Sequence, residues 1–337
     1  MRIRLGIPLS IGKIAEATDG TLSANKDLLI THICTDTREL MRGDLFIALK
    51  GERYNGADFA AEAKRKDALI LSSVGSTSDV FHPDTRLALL NLASFYARNL
   101  PYLLYRIGIT GSVGKTTTKE FLKLLLSERY ITHASAGNFN NEIGLPLSIL
   151  SAKEDTEILL MELGMNGRGE ISRLSKCLEP DIAVITNIGT AHIGRLGSRE
   201  EIARAKLEIL DGMKNGKIIV PKEENLLSKI KEKETFSITD TDADYYIKSG
   251  EKASVEIYKR GEIFCSADFA LPEEHHRKCL AAAAAAAISA GISPNQLSRG
   301  ISLISRDNIR QTMFLAENYC FYADCYNASR ESMLAAI

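Results

Sequence analysis

An apolar, β-branched run (Leu103, Leu104, Tyr105, Ile107, Ile109) leads directly into Thr110-Gly111-Ser112-Val113-Gly114-Lys115-Thr116-Thr117-Thr118, and then into a segment carrying Phe121, Leu122, Leu125 and Leu126 at helical spacing. This passage constrains the fold more than any other, because a buried strand must end in a glycine-bearing turn and restart as a helix. Such a turn presents amides and a helix N-terminus to an anion, and Lys115 adds a point charge between phosphates. Thr110, Gly111, Ser112, Gly114, Lys115, Thr116 and Thr117 are the expected phosphate-binding residues, with the Thr116 hydroxyl offered to Mg²⁺. The spacing is not strictly G-x-x-x-x-G-K-[ST]: Ile109 occupies the place of the first glycine, and Gly111 supplies an early glycine instead.

A chain of 337 residues exceeds one ordinary core, so two or three domains are expected. The formal charge of -1 gives no electrostatic footprint for a polyanion, and no nucleic-acid partner is expected. The first twenty residues interrupt their apolar positions with Arg4, Pro8, Gly12, Lys13 and Glu16, so they lack a signal-peptide core. The longest apolar run, Cys279 to Ile288, is mostly alanine and about half of what a membrane span needs; it reads as a packing helix. Six cysteines without C-x-x-C spacing, and no His/Cys cluster at zinc-ligand spacing, read as reduced thiols in a cytoplasmic protein.

Residues 1 to about 100 alternate short helix and strand signals, with helices expected at Ser10 to Thr18 and Ala60 to Lys66 and strands at Ile30 to Thr35 and Leu45 to Leu49. This is a small α/β domain. Thr37-Arg38 could bind a phosphorylated ligand or could simply be a solvated strand end. From Tyr102 the pattern becomes strand, turn, helix, repeated: strands at Glu157 to Met161, Ile182 to Thr186 and Lys217 to Val220 alternate with helices near Thr116 to Leu126, Gly169 to Cys177 and Ser198 to Leu210. That alternation predicts a mostly parallel sheet whose ligands sit at the carboxyl ends of the strands.

Strand ends therefore supply the remaining candidates. Glu162, closing its strand, stands where a metal-binding or water-orienting carboxylate belongs, or is an ordinary strand-end acid. His192 lies in a glycine-flanked loop on the same rim. Ser198-Arg199-Glu200-Glu201 is a capping box, which places Lys206 on the second turn of a helix, where taken alone it is a surface lysine. Asn138, Asn140 and Asn141, in Asn138-Phe139-Asn140-Asn141-Glu142-Ile143-Gly144, could hydrogen-bond a polar substrate or cap the helix that follows.

Taken together, several blocks resemble the Mur ligases: Thr35-Asp36-Thr37-Arg38 with Gly43 to Gly51, Thr110 to Thr118, Gly137 to Leu147, Met161-Glu162-Leu163-Gly164, Thr186 to His192 with Ala203-Arg204-Ala205-Lys206, and Asp324-Cys325-Tyr326-Asn327-Ala328. The resemblance covers nearly the whole chain and is closest to the members that add D-alanyl-D-alanine. It implies an ATP-dependent amide ligase of cell-wall precursor synthesis: ATP phosphorylates the carboxylate of a UDP-N-acetylmuramoyl-tripeptide, and the amine of D-alanyl-D-alanine attacks the acyl phosphate. Under the same resemblance Lys115, Glu162, His192 and Lys206 are catalytic, and Thr116, Glu162, His192 and a carbamylated Lys206 hold Mg²⁺. His275, Arg310 and Asp324 join the ATP site, while Thr37, Arg38, Asn138, Asn140 and Asn141 face the UDP-sugar peptide. A monomer is expected. The implied architecture is α/β throughout: a UDP-sugar-peptide-binding domain over 1–100, a central P-loop domain over 101–305, and a remnant of a Rossmann-like third domain over 306–337.

The chain also departs from the family pattern. His276 and Cys279 stand at positions where the family carries asparagines after its histidine, Ile309 replaces the glycine before Arg310, Ala323 replaces an aspartate, and Ser329-Arg330 replaces Asn-Pro. Only 27 residues follow Arg310, fewer than the roughly 40 that fold without staples. Thr312 to Leu315 and Tyr319 to Tyr322 read as the first two strands of that last unit. The chain is expected to be either a fragment of a longer ligase or a homologue that has lost turnover; the function expected is the amide ligase, with a non-catalytic nucleotide or UDP-sugar-peptide binder and a ligase for a different amino acid as the alternatives.

Overall fold

The computed structural model describes residues 1–51, 54–251, 253–271, 273–305, 312–316, 319–323 and 333. The first sheet is built from β1 (Arg2–Ser10), β2 (Thr21–Leu22), β3 (Leu29–Cys34), β4 (Leu45–Ile47), β5 (Leu69–Ser72) and β6 (Val80–Phe81), with α1 (Ile11–Thr18), α2 (Ala60–Arg65) and α3 (Thr85–Arg98) around it. Its order is β1-β3-β4-β5-β6-β2; β3 to β6 run parallel and the two flanking strands antiparallel. Ser10 caps α1 by accepting from the Lys13 amide, as its hydroxyl suits it to do.

The second sheet has nine strands. Along the chain come β7 (Tyr105–Thr110), α4 (Lys115–Ser127), β8 (Thr132–Ala134), α5 (Gly144–Leu150), β9 (Ile158–Glu162), α6 (Glu170–Leu178), β10 (Ile182–Ile185), α7 (Ile193–Leu196), α8 (Arg199–Leu207) and β11 (Lys217–Pro221). These are followed by β12 (Lys233–Ser237), β13 (Tyr245–Ser249), β14 (Ser254–Lys259), β15 (Glu262–Asp268), α9 (Glu274–Ser289) and α10 (Pro294–Ser302). The order β15-β14-β13-β12-β11-β10-β7-β9-β8 is parallel from β8 to β13 and antiparallel in the last three strands. A third pair, β16 (Thr312–Ala316) and β17 (Tyr319–Ala323), is an antiparallel hairpin with Phe314 opposite Phe321.

Why the central strands read as unbroken apolar runs is plain from their two faces. Leu159 and Met161 of β9, Ala183 and Ile185 of β10, and Ile218 and Val220 of β11 enter one core; Ile158, Leu160, Ile182, Val184 and Ile219 enter the other, with Ile107 and Ile109 of β7. Each Leu, Ile, Val or Met among them contributes on the order of 1.5–3 kcal/mol by burial. On the second face, Ala281 to Ala287 of α9 are all buried and bring that helix close to α4. The expected packing helix begins five residues earlier than Cys279. Its start is masked in sequence by His275, His276, Arg277 and Lys278.

Other expectations shift at their edges. Leu103 and Leu104 precede β7, Glu157 precedes β9, and the expected helix to Leu210 gives way after Leu207 to a tighter turn. The 14-residue α3 buries a broad face, Ala88, Leu89, Leu90, Leu92, Ala93, Tyr96 and Ala97, and leaves Leu87 and Arg98 exposed on its other side. It lies against α1 on one side and α5 and α6 on the other, so residues of both sheets share one apolar core. Gly6 of β1 makes the junction possible, since a Cβ there would stand 1.8 Å from the Ala152 carbonyl oxygen.

At this junction the Tyr96 hydroxyl accepts from the Ile7 amide (2.7 Å) and donates to the Ala152 carbonyl (2.6 Å), and burial pushes its pKa up to about 12. Tyr96→Phe orphans both backbone groups at once. We expect a loss of about 1–3 kcal/mol, read as a lower urea midpoint with an unchanged slope.

Candidate active site

β7 ends at Thr110, and the turn that follows is held by strand β10. Gly111 has φ +152°, and a Cβ there would meet Thr186 Oγ1 at 1.9 Å. Gly114, at φ +80°, caps α4 and would meet Cys279 Sγ at 3.1 Å. Both positions require glycine, one for close approach and the other for its left-handed backbone as well. Asn187 Oδ1 accepts the amides of Ser112 and Val113, each at 3.0 Å. The Thr186 hydroxyl donates to the Val113 carbonyl, and Ser112 Oγ accepts from the Gly189 amide. Thr186 and Asn187 thus shape the loop, a role that strand-end position alone hinted at.

Thr110 is fully buried beneath this loop, where its hydroxyl donates to the Leu163 carbonyl. Lys115 folds back over the turn and donates to the carbonyls of Gly111 (2.8 Å) and Ser112 (3.4 Å). Thr116 Oγ1 donates to Glu162 Oε2 at 2.8 Å, and Asn140 Nδ2 donates to Glu162 Oε1 at 2.9 Å. Glu162 is 3% exposed, so both oxygens of a buried carboxylate are satisfied by neutral donors. The three asparagines separate: Asn140 reaches Glu162, Asn141 Oδ1 accepts the amides of Ile143 and Gly144 at the start of α5, and Asn138 is exposed.

Two more expected residues face this rim. Lys206 is 2% exposed on α8; burial and the nearby Lys115 charge lower its pKa well below the usual lysine value. His192 has φ 68° at the start of α7. Lost hydration and the positive charges of Lys206 and Lys115 hold its imidazole below the ordinary value. Lys115, His192 and Lys206 are therefore within electrostatic reach of one another, with Thr116 and Glu162 beside Lys115. Among the described residues no three His, Cys, Asp or Glu side chains form a ready-made metal cluster.

The other candidates lie elsewhere. His275 Nε2 is 3.1 Å from His276 Nε2, and His276 Nδ1 is 3.1 Å from Glu273 Oε2, on the first turn of α9; Cys279, one turn on, touches Gly114. Thr37 and Arg38 belong to the first sheet, after β3. Thr37 is buried, whereas the Arg38 guanidinium is 87% exposed and folded onto Asp36, whose carboxyl it holds far below the usual range. Arg310 and Asp324 lie outside the described residues.

Residues 109–287 match the Mur ligase middle domain. The chain is 37% identical to a UDP-N-acetylmuramoyl-tripeptide--D-alanyl-D-alanine ligase of Bacillus subtilis, across 98% of this chain and 75% of that protein. A crystal structure of MurF from Acinetobacter baumannii is similar with a TM-score of 0.89 at 30% identity, covering 99% of this chain and 76% of that one. The MurF ligase of Thermotoga maritima in complex with ADP is similar with a TM-score of 0.80 at 28% identity, covering 90% and 73%.

Asn187→Ala removes the acceptor shared by two loop amides, and we expect a stability loss of about 1–3 kcal/mol in chemical denaturation. Lys206 supplies a pH signature. The unfolded chain holds a proton on this residue up to its ordinary pKa of 10.5, while the folded chain with an unmodified lysine releases it far lower. Below the folded pKa both states are protonated; between the two values the unfolded state binds more protons, so stability rises with pH toward 10.5. Lys206→Met should abolish that rise in urea titrations made in carbonate-free buffer.

Proposed function

The chain belongs to the Mur ligase family, and from that premise we propose that it joins D-alanyl-D-alanine to UDP-N-acetylmuramoyl-tripeptide at the expense of ATP. The observation that carries this reading is the single rim on which Lys115, Thr116, Glu162, His192 and Lys206 meet. ATP binding is supported by the ADP complex of the Thermotoga maritima relative. In the proposed reaction a tripeptide carboxylate oxygen attacks the γ-phosphorus and ADP departs. The dipeptide amine then attacks the acyl carbon, loses a proton, and phosphate leaves.

This chemistry is chiefly positioning and charge neutralisation. Lys115 would leave the carbonyls of Gly111 and Ser112 for the β- and γ-phosphates, which are stronger acceptors. Mg²⁺ is part of the proposal and would neutralise phosphate charge. The hydroxyl of Thr116 and the carboxylate of Glu162 are the hard oxygen donors that such an ion takes, and a neutral His192 adds a nitrogen. An unmodified Lys206 does not fit this set. A buried amine with a strongly lowered pKa does, however, react with CO₂, giving a carbamate and a proton, and a carbamate has the charge and oxygens of a carboxylate ligand.

The division into units at 1–100, 101–305 and 306–337, with Thr37, Arg38, Asn138, Asn140 and Asn141 toward the UDP-sugar peptide and His275, Arg310 and Asp324 toward ATP, belongs to the same proposal. So does a cytoplasmic location, which suits the free thiols Cys34, Cys177, Cys265 and Cys279. Among the described residues no helix is long and apolar enough to cross a membrane.

The test is phosphate release by the protein with ATP, Mg²⁺ and the UDP-muramoyl-tripeptide. Release that depends on D-alanyl-D-alanine is expected, and its absence at saturating substrates removes the assignment. Incubation with ¹³C-bicarbonate should give a carbamate carbon signal that Lys206→Met lacks.

A further inference from the structure

We propose that Lys119 is a positioning residue for Glu162, acting through Ser135. Lys119 is fully buried, which a lysine almost never is without a specific partner. It follows Thr116 by three positions in α4, so both side chains leave the helix on one face. Its Nζ donates to the Ser135 carbonyl at 2.6 Å and pairs with Glu120 Oε1 at 3.0 Å.

Ser135 is where this grip becomes relevant to the site. It follows β8, its amide donates to the Leu160 carbonyl, and its hydroxyl accepts from the amide of Glu162 at 3.2 Å. Ser135 therefore sets the backbone from which the Glu162 carboxylate projects. Two residues later Gly137, at φ +50°, turns the chain into the loop that carries Asn140. Asn140 donates to Glu162 Oε1 and accepts the Gly164 amide through its own carbonyl at 2.7 Å. Helix α4 thus holds Glu162 in two ways, directly through Thr116 and indirectly through Lys119 and Ser135. A methionine would fill the Lys119 site at similar volume and without desolvating an ammonium. What it could not do is anchor the Ser135 carbonyl.

The inference rests on the reading of Glu162 as a magnesium ligand, and the experiment separates the two. ATP affinity is measured by calorimetry with Mg²⁺ and with EDTA, for wild type, Lys119→Met and Ser135→Ala, together with melting temperatures. Outer-shell partners of metal ligands typically tune affinity by about 10- to 100-fold. We expect Lys119→Met to lower the ratio of Mg²⁺ to EDTA affinity by about tenfold while leaving the EDTA value unchanged. Ser135→Ala, which keeps the buried ammonium and its carbonyl partner, should lower the ratio in the same direction by less, and serves alone if Lys119→Met does not fold. A wild-type ratio that persists in the folded variants overturns the positioning role. Equal losses with Mg²⁺ and with EDTA also overturn it, since they mark a merely structural residue. A wild type whose ATP affinity ignores Mg²⁺ overturns the magnesium reading and this inference with it.

Discussion

The whole rim depends on how closely strand β7 can approach strand β10 as it ends. Gly111 sits so near Thr186 that a single methyl group would collide with the threonine hydroxyl. Because it carries none, the turn drops onto the end of β10, Asn187 takes two of its amides, and α4 starts in a fixed direction. That direction points Thr116 at Glu162 on β9. Side chains thereby join three strand ends in addition to the sheet's own ladder, and the geometry of the turn is set in advance.

Charge then accumulates where the strands end. Lys115 and Lys206 lie close enough to act on His192, and burial and these neighbouring charges hold the Lys206 amine and the His192 imidazole below their ordinary pKa values. Like charges gathered in a partly dry site cost folding stability unless an anion offsets them. Glu162 takes its side-chain hydrogen bonds from neutral donors, Thr116 and Asn140.

Much of this was readable from residue order. Strand β7, its glycine turn and α4 announced themselves by a change from strand to helical periodicity, and the parallel central strands by apolar runs buried on both faces. Glu162 stands out by its place at a strand end, whereas Lys206, taken alone a surface lysine, is marked only by the family resemblance; the structure buries it. What escaped was what depends on long-range proximity. Residue order carries no sign that Asn187 takes two loop amides, that Lys119 is buried against Ser135, or that α3 shares a core with both sheets. The asparagine-rich segment was ambiguous for a different reason: adjacent amides on one loop diverged, so that Asn140 serves Glu162 and Asn141 caps a helix.

Helix α3 has an evolutionary corollary. With Tyr96 stitched to Ile7 on one side and Ala152 on the other, and Leu89 to Ala97 packed between two sheets, the opening hundred residues are not a detachable cassette. Exchanging that segment between relatives would break the shared core unless α5 and α6 travelled with it.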